Sequence, residues 1–360
     1  MKKLLSVALS MALISGMVFA GGKKDGAGAS GGKKKDVVVV FIPKVSGNAF
    51  FEVANEGAQE LAKKVGFTIK YDGSPDAAVA NQVNIINNAV QQGADAIVIS
   101  TLDAGGVDQA LKAARNAGVA VMTWDSDAVA STRQLMTSQG TPEILGKMLV
   151  DMGVDSLKDR GADPKGAIKY CWHYSQATVT DQNSWQVAGE AYIRKNYPSW
   201  INVAPDNYYS NQDAEKAITV GEAVLSAHKD IDLIICNDST ALPGQLQAAQ
   251  NLGLNKDKVS ITGFATPNAI KDYCRAGILT RWGLWDVKIQ GGIACYLAYW
   301  AATGHTMKVG DTINVPTIGD VKIEPNTVLE PGAYTAADSG VVLLPERAVF
   351  TKDNMDNYNF

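Results

Sequence analysis

The segment 166–197, GAIKYCWHYSQATVTDQNSWQVAGEAYIRKNY, sets the fold class. Its first part, Ala167 to Tyr174, is a short apolar and aromatic run of the kind that forms a core strand. After Trp185 the apolar residues recur at helical spacing. Between the two, Thr178–Trp185 places Asp181, Gln182 and Asn183 in a row at a strand-to-helix turn. In open parallel sheets, ligands are held at that carboxyl edge. Helix capping competes with this reading, because Asp and Asn are ordinary N-cap residues. The turn alone does not decide between them.

The same unit repeats along the chain. Toward the N-terminus, VVVVFIP (37–43), FTIKYDG (67–73), AIVIST (96–101), AVMTWDS (120–126) and RQLMTS (133–138) read as strands separated by amphipathic helices. In the helix over 78–93, Val79, Val83, Ile86, Ala89 and Val90 share one face. A second series starts at Thr141 and carries AIKYCW, INVAPDN (201–207), DLIICND (232–238) and VSITGF (259–264). Strands alternating with helices imply parallel sheets. The tail after GLWDV (283–287) does not begin a third domain, so it is expected to fold back onto the first two and make several crossings. The expected division is 37–138 plus 286–312 for one lobe and 139–285 plus 313–360 for the other, hinged around a cleft.

Composition narrows the function classes. The chain has 360 residues, 46% of them hydrophobic, and Lys+Arg 33 against Asp+Glu 37 leaves no basic excess for a nucleic-acid partner. Lys2 and Lys3 precede the apolar run LLSVALSMALISGMVFA, so residues 1–20 are expected to be a secretory signal peptide cut after Ala20. The mature protein is then expected outside the cytoplasmic membrane. Residues 21–36 read as a flexible Gly/Lys tether. Gly26, Gly28 and Gly31 spell G-x-G-x-x-G there, but without the strand and helix that a nucleotide loop requires. Cys171, Cys236, Cys274 and Cys295 are widely spaced, and sequence does not pair them. His173, His228 and His305 are scattered, so neither a metal nor a cofactor is expected.

The strand ends carry the chemistry. Lys44 and Asn48 follow the first strand, with Phe50 and Phe51 close behind. TWDSD (123–127) contributes Trp124 and Asp125, CNDST (236–240) contributes Asn237, Asp238 and Ser239, and GFATPN (263–268) contributes Phe264; Trp285 follows. Acids, amides, hydroxyls and one lysine suit a polyhydroxylated ligand, with aromatic faces covering its C–H side. Each residue also has a structural reading, as cap, turn former or surface charge. Five strand ends with the same bias favour a site. For an enzyme, the nucleophile elbow, the H-E-x-x-H pair and the phosphate loop are all missing. Asp125 and Asp181 remain a conceivable acid pair, but closing lobes suit a small free ligand better.

These residues resemble a known family. FIPK (41–44), YDG (71–73), MTWDSD (122–127), QGTP (139–142), GKMLVDM (146–152), TVTDQN (178–183), ALP (241–243), GFATPN, GLWDV and LLPERAVF (343–350) are together similar to periplasmic solute-binding proteins of sugar importers, and among them to the autoinducer-2 binders. The resemblance implies a two-lobed type I periplasmic-binding-protein fold of class α/β. It also implies an ABC permease as partner, a possible chemoreceptor, a monomer, and a furanose-like, non-borated ligand. It carries ligand contacts onto Lys44, Asp125, Asp181 and Gln182. The family's proline and alanine fall on Asn237 and Ser239, both polar here, which leaves rhamnose or another aldose as the alternative cargo. Asn183 is assigned to capping or support.

Overall fold

The computed structural model describes residues 36–360. The expected leader and all but the last residue of the expected tether lie outside the described residues.

Strand β1 (Val38–Ile42) is β-branched and apolar, and four of its five residues are buried. Helix α1 (Ala49–Val65) follows: Asn48 caps it by accepting from the Phe50 N–H, and Gly66 ends it in the left-handed region at φ 91. The alternation continues through β2 (Thr68–Tyr71), α2 (Val79–Gln91), β3 (Ala96–Ile99), α3 (Asp108–Asn116), β4 (Ala120–Trp124) and β5 (Leu135–Ser138). Every residue of β3, β4 and β5 is buried, as expected for strands covered on both faces. The second series runs α4 (Pro142–Asp159), β6 (Lys169–Tyr174), α5 (Thr180–Asn196), β7 (Ile201–Asn202), β8 (Tyr208–Tyr209), α6 (Ala214–Ala227), β9 (Leu233–Cys236), α7 (Ala241–Asn251), β10 (Ser260–Gly263), α8 (Pro267–Arg275) and β11 (Arg281–Leu284). The chain closes with α9 (Val287–Ala302), β12 (Thr312–Val315), β13 (Gly319–Pro325), β14 (Gly340–Leu343) and β15 (Ala348–Thr351).

The first sheet has the order β12-β13-β14-β5-β4-β3-β1-β2, and the second has β10-β9-β6-β7 with β8 also on β6. Neighbours from β2 to β14 are parallel, whereas β13 pairs antiparallel with β14 and with β12. β11 pairs antiparallel with β15, and Gly283 bridges to Phe264 beside the second sheet. Three connections lead between the elements of the two halves: β5 to α4 at 139–141, β11 to α9 at 285–286 and β14 to β15 at 344–347.

The expected lobe division needs one correction. Residues 313–343 belong with the first sheet, because β14 lies parallel to β5 with Val341 and Val342 buried and carries β13 and β12 with it. The strand expected over 201–207 is two residues long. Helix α9 lies flat on α1 through glycines: a Cβ at Gly57 would stand 2.2 Å from the Lys288 carbonyl oxygen, and one at Gly291 2.2 Å from that of Ala54. All four cysteines are buried and free. No helix among the described residues is long and apolar enough to cross a membrane.

Candidate functional site

The carboxyl ends of the two sheets face each other around a small cavity of about 20 Å3. Lys44 reaches it from just past β1 and is 3% exposed. Its Nζ donates to Asp125 Oδ2 at 2.9 Å and to both Asp181 oxygens at 3.2 and 3.3 Å. One ammonium from the first half therefore holds a carboxylate from each half. The two acids raise the Lys44 pKa despite the opposing effect of burial.

Asp125 follows β4 in the left-handed region, at φ 59. Its Oδ2 also accepts from Ser100 Oγ at 2.8 Å, its N–H donates to Thr137 O, and its carbonyl accepts from Gln139 Nε2. Asp181 lies in the first turn of α5, where the helix's positive end faces the cavity. Burial nevertheless pushes its carboxyl up to about 7, with the Asp125 charge adding to the lift and Lys44 opposing it.

The remaining polar wall comes from the second half. Gln182 is fixed at both ends: Oε1 accepts from Ser175 Oγ at 2.5 Å, and Nε2 donates to Asp238 Oδ2 at 2.8 Å. Asp238 Oδ1 accepts from the N–H groups of Thr240 and Ala241 at the start of α7, and burial raises its pKa. Asn237 donates Nδ2 to Gln182 O at 2.7 Å, while its Oδ1 is buried without a protein partner. Ser239 Oγ donates to Asn48 Oδ1 at 3.2 Å, and Asn48 Nδ2 donates to Thr240 Oγ1 at 3.0 Å, so the halves also meet here.

An aromatic box completes the wall. Phe50 stands edge-on to Trp285 at 5.8 Å, and Trp185, Phe264 and Trp285 meet one another at 5.5 to 5.9 Å. The arrangement offers charged acceptors, one charged donor and apolar faces around one cleft, and so suits a small ring bearing hydroxyls. Among the described residues, no group of three or more His, Cys, Asp or Glu side chains is placed to hold a metal ion.

With this geometry in view, comparison with known proteins places the fold. Residues 39–306 match the model of the periplasmic binding protein domain family. The chain belongs to that family. Among solved structures of periplasmic binding proteins, LsrB from Clostridium saccharobutylicum in complex with AI-2 is similar at a TM-score of 0.89 and 65% identity, over 90% of this chain and 100% of that one. An ABC transporter solute-binding protein from Clostridium phytofermentas with bound L-rhamnose shares the fold, at a TM-score of 0.79 and 22% identity over 90% of this chain and 98% of that one. The ribose import binding protein RbsB of Bacillus subtilis is 26% identical over 243 residues, 66% of this chain and 72% of that protein.

Within this periplasmic-binding-protein frame, Lys44, Asp125, Asp181, Gln182, Asn237 and Ser239 all line the one cavity, as do Phe50, Phe51, Asp238, Phe264 and Trp285. Trp124 does not: it is fully buried behind Phe50, stacked at 5.9 Å. Asn183 faces away from the cavity, accepting from the Tyr174 hydroxyl at 3.2 Å. Sequence reasoning missed Trp185, Leu284 and Gln212. Gln212 donates to Asp238 Oδ2 and accepts from Thr240 Oγ1. Its only sequence signal is its place in SNQD before α6, a loop in which Asn211 and Gln212 are both left-handed.

Proposed function

We propose that this chain is the solute-binding component of an ABC importer, and that its cargo is autoinducer-2 in a cyclic, furanose-like, non-borated form. One observation carries the reading: Lys44 and Asp125 from one half and Asp181 and Gln182 from the other, all buried, converge on a single small cavity. In this reading Asp125 and Asp181 accept from ring hydroxyls, Lys44 donates to a ring or hydroxyl oxygen, and the Phe50–Trp285 corner covers an apolar face.

Support comes from the LsrB of Clostridium saccharobutylicum, which is 65% identical to this chain and was solved with AI-2. Import binding proteins among the curated relatives support delivery to a permease. The halves are proposed to close about the three crossings, with the closed form presented to the permease. The protein acts in the periplasm as a monomer after removal of its leader near Ala20, binds without turnover, and is available to a chemoreceptor in the same form.

The partnerless Asn237 Oδ1 favours a second reading as well. A buried acceptor calls for a hydroxyl donor, and an aldose such as rhamnose sets its hydroxyls around a different ring. Calorimetric titration of residues 21–360 with autoinducer-2, rhamnose, ribose and xylose separates the two. Tight binding of autoinducer-2 alone supports the first reading. Binding of an aldose alone transfers the site to the second, and recovery of a chemically altered ligand overturns both.

A further inference from the structure

We propose that Arg133 is a positioning residue for the ligand: by gripping Asp127, it holds the Trp124–Asp127 turn in the backbone conformation that aims the Asp125 carboxylate into the cavity. The proposal rests on the reading that Asp125 contacts the ligand.

Asp125 is left-handed at φ 59, and Trp124 bridges to Ser126 across it. Asp tolerates that region better than most residues with a Cβ, but still at a cost that its neighbours must offset. Two residues on, the Asp127 carboxylate is clamped from several sides. It accepts from Arg133 Nε at 3.0 Å and Nη2 at 2.6 Å, from Thr123 Oγ1 at 2.5 Å and from the Ala128 N–H at 2.9 Å. Its carbonyl accepts from Thr101 Oγ1 at 2.6 Å. The turn thus has a fixed start at the end of β4 and a fixed end at Asp127.

Arg133 is suited to that task because it is itself immobile. It is 1% exposed, and its remaining donors go to the C-terminal segment that carries β13 and β14. Nη1 donates to Gly340 O at 2.8 Å and Ser339 Oγ at 3.2 Å, and Nη2 also donates to Asn326 Oδ1 at 2.8 Å. All five guanidinium N–H groups are therefore used, in a fork that lysine cannot reproduce. Asn326 is braced in turn by donating to Tyr334 O and Ser339 O. The C-terminal excursion, remote in sequence, becomes the anvil against which the ligand-facing aspartate is set.

The test uses Arg133→Met, Arg133→Lys and Asp127→Asn. Each is expected to bind autoinducer-2 about 10- to 100-fold more weakly by calorimetry. The double variant Arg133→Met/Asp127→Asn should lose no more than the worse single one, because both act through the same turn. In ligand-free protein, amide exchange should quicken in the peptide covering 123–130 and stay unchanged over β6 and β9, a pattern that general destabilisation would not give. Wild-type affinity in any folded variant, or exchange that rises equally across both sheets, overturns the proposal. If Arg133→Met does not fold, Arg133→Lys and Asp127→Asn decide by the same readouts. If the wild type binds an aldose in place of autoinducer-2, the cargo reading fails, and affinity for that aldose tests Arg133. If it binds none of them, the exchange pattern decides.

Discussion

Asp181→Asn is expected to move stability and affinity in opposite directions. Asp181 is 7% exposed and shares the Lys44 ammonium with Asp125. Burial lifts its carboxyl from 3.8 to about 7. An acid raised on folding binds its proton more tightly in the folded state than in the unfolded one. Its contribution is therefore full below about pH 4 and is lost as the pH rises through 7. A lift of about three units corresponds to about 4 kcal/mol at pH 8, a ceiling that local relaxation and water entry reduce. Asparagine cannot ionise, so the variant should gain up to that amount over the wild type at pH 8 and little near pH 4. Affinity should fall, because a charged acceptor becomes neutral; such bonds contribute about 1.5–3 kcal/mol, or roughly 10- to 150-fold in Kd. Urea unfolding of both proteins from pH 4 to 8, with calorimetry at pH 7.5, measures both effects. Parallel stability curves would refute the buried-charge argument, and an unchanged Kd would remove Asp181 from the ligand's contacts.

Lys44→Met leaves Asp125 and Asp181 facing each other without their cation, so stability at pH 8 should fall by about 3–5 kcal/mol and partly recover at pH 5 as Asp181 protonates; urea unfolding at the two values reads this. Asn48→Ala removes the α1 cap and the bonds to Ser239 and Thr240. It should cost about 1 kcal/mol of stability and quicken ligand release in stopped-flow fluorescence, because those bonds join the halves. Gly57→Ala drives a methyl to 2.2 Å from the Lys288 carbonyl oxygen and should destabilise by about 1–3 kcal/mol in thermal unfolding, as α9 is levered off α1.

The parallel sheets were legible because their strands are buried on both faces and so read as unbroken apolar runs, as β3 and β4 do. The C-terminal strands were not. β12 alternates exposed and buried residues, and β14 finds its partner β5 some two hundred residues back, a pairing that no local pattern announces. The start of α5 was obscured for a different reason. Val179 sits at its N-cap with no side-chain bond, so Asp181, Gln182 and Asn183 looked like a turn when they form the helix's first turn. Polar strand ends pointed to Lys44, Asp125 and Asp238 because those residues follow buried runs directly. Gln212 follows a two-residue strand, and its aim depends on a left-handed loop that sequence leaves open.

Charge, strain and an unpaired acceptor meet in the same wall. Asp125 and Gln212 are left-handed without being glycine, Asp181 and Asp238 are carboxyls pushed up by burial, and Asn237 Oδ1 has no protein partner. Most of these are held by a neighbour: Arg133 behind the Asp125 turn, Lys44 on Asp181, two N–H groups of α7 on Asp238, and Asp238 with Thr240 on Gln212. A wall fixed in this way has little freedom to rearrange around a poor fit. Discrimination then falls to the ligand's own groups. A ligand with a hydroxyl at each waiting acceptor gains bonds whose ordering cost the fold has already met, while one lacking a hydroxyl leaves a buried acceptor unpaired at about 1–3 kcal/mol. The same rigidity that makes the site costly to fold is what makes it selective.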